Sequence, residues 1–255
     1  MSDWQPDRYL QFHSERTQPS IDLVAKIDKV APEYIIDIGC GPGNSTQVLS
    51  HRWPQSKIIG IDTSASMIAR AGLDFPKQEW QTANASTYEP TTKFDIVFSN
   101  AVIQWIPDHE KLFAKFHSLL CGGGIVAVQI PLFWDMPLGV IIDEVAQDIR
   151  WKNRTEKVER IFTIHDHVFY YDLLSSLFTS IELWETDYLH ILESHESIIE
   201  MMRSTGLKPY HELLSDEERG EFEKAVLKGI QQAYPTQKNG KVLLPFKRLF
   251  LKGIK

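Results

Sequence analysis

The run Asp37-Ile38-Gly39-Cys40-Gly41-Pro42-Gly43-Asn44, directly behind the apolar stretch Tyr34-Ile35-Ile36, constrains this chain more than any other feature. A β-branched strand that ends in an acidic residue and alternating glycines is how a parallel sheet opens a pocket for a nucleotide-like ligand. Without a Cβ, the glycines let the backbone turn sharply and let a ligand lie against it. The helix starting near Asn44-Ser45 then points its N–H groups inward. A dinucleotide fingerprint, G-x-G-x-x-G, needs its third glycine where this chain has Asn44, so the D-x-G-x-G-x-G pattern disfavours a pyrophosphate cradle.

The next apolar run, Lys57-Ile58-Ile59-Gly60-Ile61-Asp62, ends in a carboxylate a little over twenty residues after the first glycine. Such folds place there an acidic acceptor for ribose hydroxyls. Taken alone, Asp62 is equally an N-cap for the helix through Met67-Ile68. Joined to the glycine loop, it reads as the ribose ligand.

The loop resembles the first motif of class I S-adenosylmethionine-dependent methyltransferases, where it backs the methionine portion of the cofactor. The rest of the chain fits an α/β reading. After the first two strands come Glu79-Trp80-Gln81, Phe94-Asp95-Ile96-Val97-Phe98-Ser99 and Gly124-Ile125-Val126-Ala127-Val128-Gln129-Ile130, with helical patterns between them. Alternation of this kind means a doubly wound, mostly parallel sheet, and the family implies seven strands, a Rossmann-like order and a helical cap. The helix Lys111 to Leu120 is expected to stop at Cys121-Gly122-Gly123-Gly124.

A single domain over 1–255 is expected, with a helical leader over 1–30 and cap elements at about 131–178 and 193–238. The first cap element follows from the loss of strand pattern after Pro131, the second from helices starting at Ser194 and at the capping box Ser215-Asp216-Glu217-Glu218. Strand-like segments flank them, Ser180 to Ile191 and Lys241 to Lys252. Pro245 in the last suggests a bulge or an edge.

Several function classes are set aside by composition. A formal charge of −7 and the absence of a dense Lys/Arg block argue against nucleic acid, while a small anionic substrate stays possible in a local basic pocket. No apolar run approaches the roughly 20 residues of a membrane span, and Met1-Ser2-Asp3-Trp4 lacks a basic region followed by an apolar core, so a cytoplasmic location is expected. Of two cysteines, Cys40 sits inside the glycine loop and reads as a small buried residue, not a nucleophile. His165-Asp166-His167 invites a metal reading, yet no third spaced ligand is evident, so a solvated loop and no metal are expected. Asn44-Ser45-Thr46, Asn84-Ala85-Ser86 and Asn153-Arg154-Thr155 match the glycosylation pattern, which a cytosolic chain does not use.

A narrower resemblance spans nearly the whole chain. Trp4-Gln5-Pro6-Asp7-Arg8-Tyr9-Leu10-Gln11-Phe12 with Glu15-Arg16-Thr17, Gln104-Trp105-Ile106-Pro107-Asp108-His109, Tyr170-Tyr171-Asp172, Thr205-Gly206-Leu207 with Pro209-Tyr210, and Arg248-Leu249-Phe250 are similar to the trans-aconitate 2-methyltransferase family. The resemblance implies S-adenosylmethionine contacts from Asp37, Gly39, Gly41, Gly43, Asn44, Asp62, Thr63, Met67, Asn84, Ala85 and Asn100. It implies substrate contacts from Tyr9, His13, Arg16, Trp105, Tyr171, Lys208 and Arg248, with Trp105 and Tyr171 aligning the reactants; a monomer is expected, though residue types do not distinguish it from a dimer. The chain departs from the family at Gln18 and Lys208, where arginines are usual, at Asn84, where an aspartate is common, and at Ile130-Pro131-Leu132-Phe133.

The implied chemistry is in-line methyl transfer from a sulfonium to a carboxylate oxygen. A carboxylic acid of ordinary pKa, about 4, is ionised at neutral pH, so no general base is required. Arg16 and Arg248 are first choices for holding non-reacting carboxylates; read alone, they fit a helix surface and a surface ion pair as well. Trp105 is a cofactor or substrate wall, or a core residue. Two other functions stay open: a carboxyl methyltransferase for a more hydrophobic or acyl-carrier-linked acid, and a cofactor-binding module without turnover.

Overall fold

The computed structural model describes residues 13–156, 158 and 162–255. Its sheet contains β1 (Tyr34–Ile38), β2 (Lys57–Asp62), β3 (Glu79–Thr82), β4 (Phe94–Asn100), β5 (Leu120–Pro131), β6 (Ser180–Leu192) and β7 (Val242–Ile254). The strand order is β3-β2-β1-β4-β5-β7-β6, and β1 to β5 pair in parallel. β7 runs against β5: Lys255 N donates to Gly124 O at the start of β5, and Leu132 N to Lys247 O just past its end. The sheet is therefore mostly parallel with one reversed strand. Ile35, Ile36, Ile96, Val97 and Phe98 show no exposure, as expected of strands covered on both faces.

The described helices are α1 (His13–Ala25), α2 (Asn44–Arg52), α3 (Ala65–Asp74), α4 (His109–Leu119), α5 (Pro137–Ala146), α6 (Lys152–Thr155), α7 (His167–Leu177), α8 (His195–Arg203), α9 (Lys208–His211) and α10 (Asp216–Ala233). Two compact units result. One holds the described residues up to Ile130 with His165–Glu185 and Leu249–Lys255; the other holds Pro131–Ile164 and Thr186–Arg248.

Four local expectations need adjustment. α4 stops at Leu119 and β5 starts at Leu120, so the glycines are not a helix cap; they absorb a register shift between Phe94 and Ile96, with Gly123 at φ 69°. The N-cap of α3 is Ser64, whose side chain accepts from Met67 N, not Asp62. His165-Asp166-His167 is a solvated segment, as expected at Asp166 and His167, that also starts a helix: Asp166 caps α7 by accepting from Phe169 N at 2.8 Å, and His165 stacks on Phe169 with ring centroids 3.9 Å apart. Pro245 lies in an internal strand, but past the last β5 contact at Lys247. Residues 245 and 247 share a side of the strand, so the missing N–H points where β5 has already ended. The capping box of α10 forms as read, with Ser215 and Glu218 bonded reciprocally.

Candidate active site

All three glycines of the loop adopt positive φ, 69° at Gly39, 53° at Gly41 and 98° at Gly43, a region other residues enter only with strain. Their surroundings differ. A Cβ on Gly39 would stand 2.3 Å from Val102 and one on Gly43 2.8 Å from Phe75, whereas one on Gly41 meets nothing within 4 Å. The outer glycines are packed against protein, and the middle one faces open space.

The end of β2 pins this loop. Ile61 O accepts from Gly39 N and Cys40 N, and Asp62 Oδ2 accepts from Gly41 N at 3.0 Å. Asp62 Oδ1 accepts from Ser64 N at 2.8 Å, so one carboxylate ties the glycine loop to the start of α3. A carboxylate has about four acceptor positions, and these two bonds do not exhaust it. Gly43 is the N-cap of α2 with no side-chain partner, leaving the first N–H groups to the loop's interior.

Asp37 is fully buried. Its Oδ2 accepts from the Ser45 and Thr46 hydroxyls, both at 2.6 Å, while Oδ1 has no hydrogen-bond partner. Burial pushes its pKa up to about 6, opposed by the two hydroxyls and reinforced by the Asp62 charge. The Cys40 thiol is pushed well above its ordinary range by burial and by Asp37 and Asp62, which keeps it protonated and unreactive.

Beyond β4 the chain turns back on the loop. Asn100 is half-buried with Oδ1 unpartnered, and Ala101 takes φ 57° while its N–H donates to Gln129 O at 2.8 Å. Gln104 Nε2 returns to Ala101 O at 2.8 Å, and Trp105, half-buried, closes a 3₁₀ turn over Ile103–Trp105. A positive φ at alanine marks a turn held by its surroundings. Sequence reading assigned no part to Val102, although it sits against the first glycine.

The remaining candidates for cofactor contact follow β2 and β3. Thr63 is exposed, Met67 is buried, and Ala85 is buried beside exposed Asn84. Asn84 Oδ1 accepts from Ser86 N at 2.9 Å, so part of its acceptor capacity is spent on its own turn.

This part of the chain is rich in acceptors: Asp37 Oδ1 and Asn100 Oδ1 are buried without partners, and the Asp62 carboxylate holds Gly41 N. It suits a ligand carrying cationic groups and hydroxyls, and it repels phosphates. Among the described residues no group of three His, Cys, Asp or Glu is placed to hold a metal ion.

A family model described as a methyltransferase domain matches residues 9–212. The chain is 40% identical over 251 residues to the trans-aconitate 2-methyltransferase of Escherichia fergusonii, covering 98% of each. It is 41% identical over 256 residues to that of Rhodopseudomonas palustris strain BisB5, covering 100% of each. The chain belongs to the trans-aconitate 2-methyltransferase family. Its fold is shared by the YcgJ protein of Bacillus subtilis, with a TM-score of 0.63 at 16% identity over 93% of this chain and 98% of that one. It is also shared by phosphoethanolamine N-methyltransferase 2 of Haemonchus contortus, solved with S-adenosyl-L-methionine, with a TM-score of 0.61 at 16% identity over 98% of this chain and 56% of that one.

The positions that the trans-aconitate 2-methyltransferase resemblance assigns to the substrate fall in both compact units. Tyr9 lies outside the described residues. His13 and Arg16 are in α1, on which Gln18 is exposed and its amide donates to Asp22 Oδ1 at 2.8 Å. The missing family arginine at position 18 thus falls on an exposed face. Tyr171 is 56% exposed and lines an open groove of about 500 Å³ with His167, Val168, Trp184 and Leu249. In the other unit, Lys208 begins α9, and Arg248 is buried on β7 with its guanidinium 4.8 Å from the Phe246 ring and 5.9 Å from the Tyr188 ring.

Proposed function

We propose that this chain transfers a methyl group from S-adenosylmethionine to a carboxylate oxygen of trans-aconitate, forming its monomethyl ester. The observation that carries the reading is the glycine loop, open at Gly41 and tied to Asp62, in a chain 40% identical over 251 residues to a trans-aconitate 2-methyltransferase. When bound, S-adenosylmethionine supplies an electrophilic methyl carbon: the oxygen–carbon bond forms as the carbon–sulfur bond breaks. The chain's own residues bind and orient. Asp62 would accept from the ribose hydroxyls, and the backbone at Gly41 would back the methionine portion.

No residue needs to take a proton, because the acceptor carboxylate is already ionised. Rate then comes from alignment and exclusion of water, which supply on the order of 7 to 11 kcal/mol when geometry is ideal. Arg16 and Arg248 hold the non-reacting carboxylates, with Lys208 and His13 as further cations and Trp105 as a wall. The enzyme acts as a cytoplasmic monomer on a small anionic acid; no helix among the described residues is long and apolar enough to cross a membrane.

An acceptor of more hydrophobic character has two sequence motives, the leader arginine replaced by Gln18 and the apolar Leu132-Phe133-Trp134. Leu132 and Phe133 are 5% and 3% exposed, and Phe133 packs edge-on against Trp134 and Phe162, with Trp134 Nε1 donating to Phe162 O. Their apolar surface is spent inside their own unit. Titration calorimetry with S-adenosylhomocysteine, followed by turnover on a panel of mono-, di- and tricarboxylic acids, tests the assignment. Binding with esterification of trans-aconitate is expected; tight binding without turnover on any acid would leave a non-catalytic module.

A further inference from the structure

His109 is the first residue of α4 and has no solvent exposure. Its Nε2 lies 2.9 Å from Ile103 O, and its Nδ1 lies 2.9 Å from the Tyr170 hydroxyl. Tyr170, on α7, is equally buried, and its oxygen lies 3.4 Å from His165 N. The direction of every proton in this chain is fixed by its two backbone ends. The Ile103 carbonyl can only accept, so Nε2 carries the proton; Nδ1 of the neutral ring must then accept from the Tyr170 O–H, whose oxygen accepts from the His165 N–H.

The Ile103 carbonyl belongs to the turn that presses on the glycine loop. Val102, its neighbour, occupies the space beside Gly39. Ala101, one residue earlier, holds positive φ, and Ile106 N donates to the same Ile103 carbonyl at 2.9 Å. Helix α4 is also oriented at its origin: Asp108 takes φ 62° and accepts from Lys111 N at 3.2 Å. A contiguous set of contacts thus runs from α7 through Tyr170, His109 and Ile103 to Val102 and Gly39.

We infer that His109 and Tyr170 are positioning residues for methyl transfer, fixing the Asn100–Ile106 turn against the first glycine of the cofactor loop. The inference rests on the methyltransferase reading above. Neither side chain is placed on the reacting atoms; each acts through the turn. The imidazole is suited to this because it donates from one nitrogen and accepts at the other across a span that no amide side chain bridges. Burial, together with the neighbouring His165, holds its pKa below the ordinary value, against the pull of the Ile103 carbonyl and Asp108, so the neutral form the chain requires is kept at neutral pH.

Three variants separate positioning from plain core packing. In His109→Gln the amide nitrogen can reach the place of Nε2 and keep the bond to Ile103. His109→Asn reaches only the place of Nδ1 and keeps the Tyr170 side. Tyr170→Phe removes one oxygen and leaves the ring packed. The readouts are the dissociation constant of S-adenosylhomocysteine by calorimetry and the separate kcat and KM for the acid. Positioning predicts a loss of about five- to tenfold in cofactor affinity for His109→Asn, which breaks the bond to the Ile103 carbonyl, and a smaller loss, about two- to threefold and alike in both, for His109→Gln and Tyr170→Phe, which keep that bond and break only the link between the imidazole and the phenol. It also predicts that kcat falls in step with affinity across the three while KM for the acid stays within about twofold.

Equal losses in His109→Gln and His109→Asn, or native affinity and kcat in folded Tyr170→Phe, would overturn the inference. Should the histidine variants not fold, Tyr170→Phe decides alone. Failure of the wild-type chain to bind S-adenosylhomocysteine would instead remove the underlying methyltransferase reading, a result the variants cannot mimic.

Discussion

Val102 fills the space that a side chain on Gly39 would need: its two methyl carbons lie 2.3 and 2.4 Å from an ideal Cβ there. Gly39 is therefore required by the protein's own packing, whereas Gly41, with nothing within 4 Å, is required by what the loop must receive. The same motif contains a structural glycine and a ligand-facing one, and the two are separable by experiment.

Gly39→Ala combines a positive φ with overpacking against Val102, about 1–2 and 1–3 kcal/mol respectively, so thermal or denaturant unfolding is expected to show a loss of roughly 2–5 kcal/mol. Gly41→Ala carries only the backbone term, about 1–2 kcal/mol, yet should weaken S-adenosylhomocysteine binding by at least tenfold because its methyl group enters the open space. Similar stability and similar affinity losses in both variants would contradict this division.

Asp37 makes stability depend on pH in a direction opposite to that of an ordinary salt-bridged acid. Its folded pKa is raised to about 6 from 3.8, so between these values the folded state binds more protons than the unfolded state. Its contribution is thus fully present below pH 4, declines as pH rises through about 6, and is absent at neutral pH. The shift corresponds to about 3 kcal/mol. Asp37→Asn keeps an acceptor for Ser45 or Thr46 without the buried charge. The difference in unfolding free energy between variant and wild type should therefore grow in the variant's favour from pH 4 to 7. A pH-independent difference would contradict the burial argument.

Asp62→Ala removes the acceptor for Gly41 N and for the ribose hydroxyls at once. Charge-assisted hydrogen bonds are worth about 1.5–3 kcal/mol each, so the affinity for S-adenosylhomocysteine should fall by at least tenfold. Unchanged affinity would exclude Asp62 from the cofactor site.

Arg16 and Gln18 should behave differently although they are two residues apart. Arg16→Ala is expected to lower kcat/KM for the acid by at least tenfold with cofactor affinity near native, as loss of a carboxylate clamp would. Gln18→Arg, on an exposed helix face with its amide turned to Asp22, should change kcat/KM by less than about threefold. A gain of activity in Gln18→Arg exceeding the loss in Arg16→Ala would reverse these roles.

How much of this was legible in the sequence depends on the range of the interaction. The glycine loop and the strands β1, β2 and β4 could be read because each rests on local backbone chemistry: positive φ at Gly39, Gly41 and Gly43, and near-continuous apolar runs in the strands. The alternative reading of Asp62 as the cap of α3 fails by two residues because Asp62 and Ser64 are both good N-caps and only the fold commits Asp62 to Gly41. The glycines after α4 resembled a helix stop because a register shift in a strand uses the same residue type. Val102 had no local signal, and His109 and Tyr170 stood out only as members of family-like motifs, with no role attached. Their roles arise from contacts across sixty residues or more, and an apolar, an imidazole and a phenol side chain each read equally well as core.

Product analysis tests the central claim most directly: purified protein incubated with S-adenosylmethionine and an equimolar mixture of trans-aconitate and hydrophobic monocarboxylic acids, with esters identified by mass. The account predicts monomethyl trans-aconitate as the dominant product, one equivalent of S-adenosylhomocysteine per ester. Trans-aconitate recovered unmodified while another acid in the mixture is esterified would contradict it.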